Sequence, residues 1–91
     1  MSPDPFFVLL EACDNPDLDP AGATAHVPRE HRQVLSLAEA QRVCLEFIAQ
    51  YDLGSGNWAG GRVTSCGKGV AYISYNGRAW TLDRQPTPIH L

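Results

Sequence analysis

No run of apolar residues in this chain exceeds five, Phe6 to Leu10, against the ~20 needed to cross a bilayer as a helix, so no membrane span is expected. The start Met1-Ser2-Pro3-Asp4-Pro5 has no basic residue and carries an acid where a secretory leader would carry Lys or Arg, which points to a cytoplasmic location. Cysteine is sparse and odd in number: Cys13, Cys44 and Cys66 form no CxxC pair, so neither a disulfide framework nor a zinc knuckle is indicated. Cys44 falls inside an apolar helical pattern and reads as a small core residue rather than a nucleophile. Neither internal repeats nor low-complexity tracts occur. Ninety-one residues suit one small domain over 1–91 with one modest core.

Several chemical signatures are also missing. Asp14, Asp17 and Asp19 cluster as in a calcium loop, but Pro16 and Pro20 stiffen the backbone and neither the turn Gly nor the closing Glu is present. An exposed acidic loop is the better account. His26 and His31 are five apart across Pro28, and His90 lies in the tail, so no pair shares a helix face as metal ligands would. The glycine-rich stretch from Gly54 to Gly61 follows a helix and precedes a strand, the reverse of a phosphate-cradling order, and no Lys-Ser/Thr pair closes it. Nothing in the spacing of Ser55, Ser65, Cys66, His26 and the acids brings a nucleophile, a base and an orienting group together. The expectation is a non-enzymatic chain with no cofactor and no metal.

What is present divides by charge. Residues 1–53 hold nine acids against three arginines, a balance of −6, and residues 54–91 hold four cations against Asp83, a balance of +3. Such asymmetry can orient a partner through the summed field, although solvation alone also accounts for it. The region of about 11–31 is rich in Pro and Asp and reads as irregular. Phe6 to Leu10 favours a strand, with a short helix as the alternative, and Arg32 to Leu35 reads as an extended lead-in.

One helix is clearly marked, at about 37–53. Ser36-Leu37-Ala38-Glu39 matches a capping box in which Ser caps the N3 amide and Glu reaches back to the cap's own N–H. Leu37, Ala40, Cys44, Phe47, Ile48 and Tyr51 recur at helical spacing, and Gly54 is placed to end the helix in the left-handed conformation. Burying Leu37, Phe47 and Ile48 contributes about 1.5–3 kcal/mol each before entropy.

Alternating apolar and polar residues then predict a three-stranded antiparallel meander at about 60–66, 70–75 and 78–83. Asn76-Gly77 predicts a two-residue type I′ turn, which sets Tyr75 opposite Arg78, Ile73 opposite Trp80 and Ala71 opposite Leu82, with Tyr72 and Thr81 on the other face. For the earlier turn, a three-residue loop with Gly69 left-handed pairs Cys66 with Val70 and Val63 with Ile73; a two-residue loop would turn Arg62 and Thr64 toward the core. The expected core face is Val63, Ser65, Ala71, Ile73, Trp80 and Leu82, and the helix packs across it to give an α+β fold. The last strand, Arg78 to Asp83, reads as an open edge ending in a short tail, and an open edge invites pairing into a homodimer.

On this register the outer face carries Arg62, Thr64, Tyr72, Ser74 and Thr81, with Lys68 and Arg78 at the hairpin tips. Trp58, set among glycines, is either tucked over the end of the core or displayed for binding. Tyr and Arg are enriched in protein hot spots, and aromatics among cations can also stack bases. The expected function is therefore binding of a protein partner through Arg62, Thr64, Lys68, Tyr72, Arg78 and Trp58, in the manner of small inhibitors, immunity factors or accessory proteins of bacterial or phage systems. The alternative is a nucleic-acid-binding module using Arg62, Lys68, Tyr72 and Arg78.

Overall fold

The computed structural model describes residues 5–15, 22, 24–82 and 85–89. It is an α+β fold of one helix and a five-stranded antiparallel sheet in the order β2-β1-β3-β4-β5. The strands are β1 (Phe6–Leu10), β2 (Glu30–Val34), β3 (Arg62–Ser65), β4 (Lys68–Ile73) and β5 (Ala79–Trp80), and α1 (Leu37–Gln50) lies between β2 and β3 in the chain. The apolar run Phe6–Leu10 is thus a strand, inserted between β2 and β3, with Val8 opposite both Arg32 and Val63. The lead-in before the helix is a full strand beginning at Glu30. Both extend the expected meander to five strands.

Ser36 caps α1, accepting from the Glu39 N–H (3.1 Å), while the Glu39 carboxylate accepts from the Leu35 N–H (2.9 Å), one residue before the cap. Ala40, Val43, Cys44, Phe47 and Ile48 are buried; Val43 adds to the expected stripe, and Leu37 and Tyr51 pack at its margin. The helix ends earlier than Gly54. Asp52 takes the left-handed conformation (φ 51°), its N–H donates to the Ala49 carbonyl (3.3 Å), and the Leu53 N–H reaches back to Ile48 (2.9 Å). That is a Schellman motif closed by a buried Leu53 rather than by glycine.

The two hairpin turns exchange the types expected of them. Between β3 and β4 the loop has two residues, Cys66 and Gly67, both at positive φ (53° and 77°), as a type I′ turn requires. A bulge after Val63 then absorbs Val70, so Thr64 faces Gly69 while Val63 faces Ala71. One extra residue restores the alternation, which keeps Arg62 and Thr64 off the core without a longer loop. Between β4 and β5 the loop is Tyr75-Asn76-Gly77. Gly77 (φ 84°) donates to the Ser74 carbonyl (2.8 Å) and Ser74 donates to the Arg78 carbonyl (2.9 Å), the pattern of a type I turn followed by a left-handed glycine. Asn76 is not left-handed; its carboxamide oxygen accepts from the Arg78 N–H (3.1 Å) and from the Ser74 hydroxyl.

That third loop residue corrects the register by one. Ile73 lies opposite Ala79 and Tyr72 opposite Trp80. Val8, Val63, Ala71, Ile73 and Ala79 form the buried sheet face under α1, and Trp80 and Leu82 leave the expected core set for the outer face. The last strand is not an open edge either. Residues 87–89 return beside it, with Thr81 N–H donating to Thr87 (2.9 Å) and Ile89 N–H to Ala79 (2.8 Å). Thr87 N–H also turns inward, donating to the Thr81 hydroxyl (3.0 Å), and Pro86 and Pro88, alternating with Thr87 and Ile89, offer no N–H outward, which blunts that side against strand addition.

Candidate functional site

Only one sheet face is covered by α1. The opposite face carries Phe7 and Leu9 from β1, Arg62 and Thr64 from β3, Tyr72 from β4 and Trp80 from β5, because each pairs in register with its neighbour across the sheet. Leu82 joins them: its side chain and the Arg62 guanidinium both lie over Gly69, where an added Cβ would come within 2.7 and 2.8 Å of them.

Tyr72, Ser74, Tyr75, Asn76, Trp80 and Pro86 line an open groove of about 510 Å³ at the β4–β5 end of this face. Its walls are fixed by local bonds. Trp80 Nε1 donates to the Ser74 hydroxyl (3.0 Å), and the Tyr75 hydroxyl donates to the Leu53 carbonyl (3.1 Å), tying the hairpin tip to the end of α1. The Tyr72 hydroxyl, by contrast, has no hydrogen-bond partner among the described residues. None of the six lining residues is a carboxylate, histidine or cysteine.

Charge is distributed just as unevenly. Every arginine of the N-terminal half is neutralised: Arg29 by Glu11 (3.7 Å), Arg32 by Glu30, and Arg42 by Glu46 (2.7 Å) and Glu39 (3.8 Å). Among the described residues, Arg62, Lys68 and Arg78 pair with no carboxylate. Arg62 stands across from Tyr72, Lys68 opens β4 and Arg78 follows the β4–β5 turn.

Of the residues selected from the sequence, Arg62, Thr64 and Tyr72 therefore share one face, with Lys68 and Arg78 at opposite ends of β4. Trp58 does not join them. It is 8% exposed, its Nε1 donates to the Ile73 carbonyl (3.0 Å), and its ring packs on Phe47 at 6.1 Å, so it belongs to the core. The glycine-rich connector pairs along β1, with Gly61 N–H on Leu9 (2.7 Å) and Ala59 N–H on Glu11 (3.1 Å). These amides are spent on the sheet.

Sequence reasoning missed Trp80, Leu82, Phe7, Leu9 and Pro86 as outer-face residues. A signal existed: Ser at the first and Gly at the fourth position of a type I turn fit Ser74-Tyr75-Asn76-Gly77 as well as Asn-Gly fits a type I′ turn.

The remaining candidates are structural. Asp14 accepts from the Thr24 N–H (2.8 Å), the Gly22 N–H (2.7 Å) and the Thr24 hydroxyl (2.9 Å), and these bonds, the Thr24 amide first, hold its carboxyl below the ordinary value. Asp17, Asp19 and His90 lie outside the described residues, and among those described no three His, Cys, Asp or Glu groups converge as metal ligands. Burial pushes the Cys44 thiol up to about 12, which keeps it protonated and inert. No helix among the described residues is long and apolar enough to cross a membrane. No protein family, curated protein or solved structure matches the chain.

Proposed function

We propose that this chain is a non-enzymatic interaction protein that binds a protein partner through the outer sheet face centred on Tyr72 and Trp80. The observation that carries the reading is the cross-strand Tyr72–Trp80 pair on the face that α1 leaves uncovered, with Arg62 beside it. Aromatic and arginine side chains concentrate binding energy because they bury large area for few rotatable bonds. Here the rings are already positioned by the turn, so little ordering entropy is lost on binding.

Affinity capture with the wild-type chain, Tyr72→Ala and Arg62→Glu tests it. Partners held by the wild type should be lost or depleted with both variants. The same partners at the same yield on both would refute this surface.

A second reading, binding of single-stranded nucleic acid, is favoured by the same rings among three cations that pair with no carboxylate among the described residues. Three phosphate contacts would give a slope of log affinity against log salt of roughly −2. No binding of labelled single strands at low salt would remove this alternative.

A further inference from the structure

Shape, hydrogen bonding and charge at the groove together narrow the partner's chemistry. Building on the interaction surface proposed above, we infer that the Tyr72–Trp80 groove takes an extended, proline-containing segment of a partner protein that also carries acidic residues.

Tyr72 and Trp80 stand directly opposite on adjacent antiparallel strands, where paired Cβ atoms are about 5 Å apart, and both side chains line the groove. Pro86 walls the groove and the Tyr75-Asn76 turn lines it as well. A polyproline-type segment suits such a slot: it is extended at about 3.1 Å per residue, has no internal hydrogen bonds to break, and loses little entropy because its backbone is preformed. Its backbone carbonyls need donors. Trp80 Nε1 is held by Ser74, but the Tyr72 hydroxyl is unpartnered among the described residues and sits beside the groove to supply one.

Charge sets the flanks. Arg62 on β3 stands across from Tyr72 with its guanidinium over Gly69, and Arg78 follows the groove's turn, both without a carboxylate among the described residues, while Arg29, Arg32 and Arg42 are all neutralised. Acidic residues on either side of the prolines would complement them. A nucleic acid fits less well. Lys68 begins β4 and Arg78 follows its far end, roughly 17 Å or more apart along an extended strand, so only Arg78 of the two stands at the groove's end and no row of cations tracks a phosphate backbone along it.

Fluorescence anisotropy with labelled peptides of about a dozen residues tests the inference, using alternating Glu-Pro, alternating Glu-Ala and alternating Lys-Pro. The Glu-Pro peptide should bind at least about tenfold more tightly than either control, and Arg62→Glu and Tyr72→Ala should each weaken it by about tenfold. Tyr72→Phe, which removes only the hydroxyl, should cost a few-fold. Arg62 is exposed, so its variant keeps the test valid even where a ring substitution disturbs the fold. Equal binding of Glu-Pro and Glu-Ala, binding indifferent to Arg62→Glu, or binding of single strands in place of peptide would overturn it. Partner capture that still depends on Tyr72 and Arg62, with no Glu-Pro binding, would sink this inference and leave the interaction surface standing; loss of both would remove both.

Discussion

Exchanging the polarity of two adjacent β5 positions separates the register of this structure from its nearest competitor. Ala79 is 1% exposed and lies opposite the fully buried Ile73, whereas Trp80 lies on the outer face. Ala79→Asp places a carboxylate in a core that buries no charged group among the described residues, at a cost of several kcal/mol. That is comparable to the whole stability of a domain this size, about 5–14 kcal/mol, so the variant should be largely unfolded or close to it. Trp80→Lys loses the packing of one partly exposed ring, about 1–2 kcal/mol, and the lysine stem can cover some of the same surface with its ammonium in water. In urea this should lower the midpoint by roughly 1 M with the slope unchanged. Far-UV circular dichroism reports the fold, and Trp58, buried at 8% exposure, reports the core by fluorescence once Trp80 is gone. A two-residue turn at Asn76-Gly77 would place Trp80 against Ile73 and predicts the reverse. A folded Ala79→Asp beside an unfolded Trp80→Lys would therefore refute the three-residue turn and the outer aromatic face with it.

Three further outcomes follow from the same geometry. Asp52 holds the left-handed position after α1 at φ 51°, so Asp52→Gly should stabilise by about 0.5–1 kcal/mol and raise Tm by roughly 2–8 °C; no gain in a thermal melt would contradict the cap as described. The depressed Asp14 carboxyl favours the folded loop at every pH above its unfolded value near 4, an advantage lost as pH falls through the lower folded value; hydrogen exchange at the Thr24 and Gly22 amides should accelerate selectively there in wild type, and Asp14→Asn should abolish that pH step. Cys13 and Cys66 are exposed and Cys44 is buried, so a thiol reagent should count two fast groups in the native protein and the third only on unfolding; three fast groups would show an open core.

Elements marked by local chemistry were legible. The Ser36–Glu39 cap, the helical stripe and the apolar run Phe6–Leu10 each carry their own signal, and each forms the element it indicates. The candidate face was legible in part: Arg62, Thr64 and Tyr72 share it because the bulge at Val70 repairs the alternation that the shorter turn would have broken. Trp80 was misplaced because the four residues Ser74 to Gly77 satisfy two turn types whose loops differ by one residue, and one residue in a strand inverts the face. Cys66 at positive φ was invisible because cysteine rarely takes that conformation, and Asp52 was passed over because Gly54, two residues on, could take it at no steric cost.

The sequence alone determined the α+β class, the place and start of α1 and the strand character of its second half, since these rest on capping, periodicity and turn residues acting over a few positions. Tertiary packing decided the rest. It inserted β1 beside β3, folded residues 87–89 back along β5, and drew Ala79 rather than Trp80 under the helix. Ala71 and Ala79 sit in the buried layer shared with the α1 residues, at 0% and 1% exposure, and a tryptophan ring in either place would overfill it.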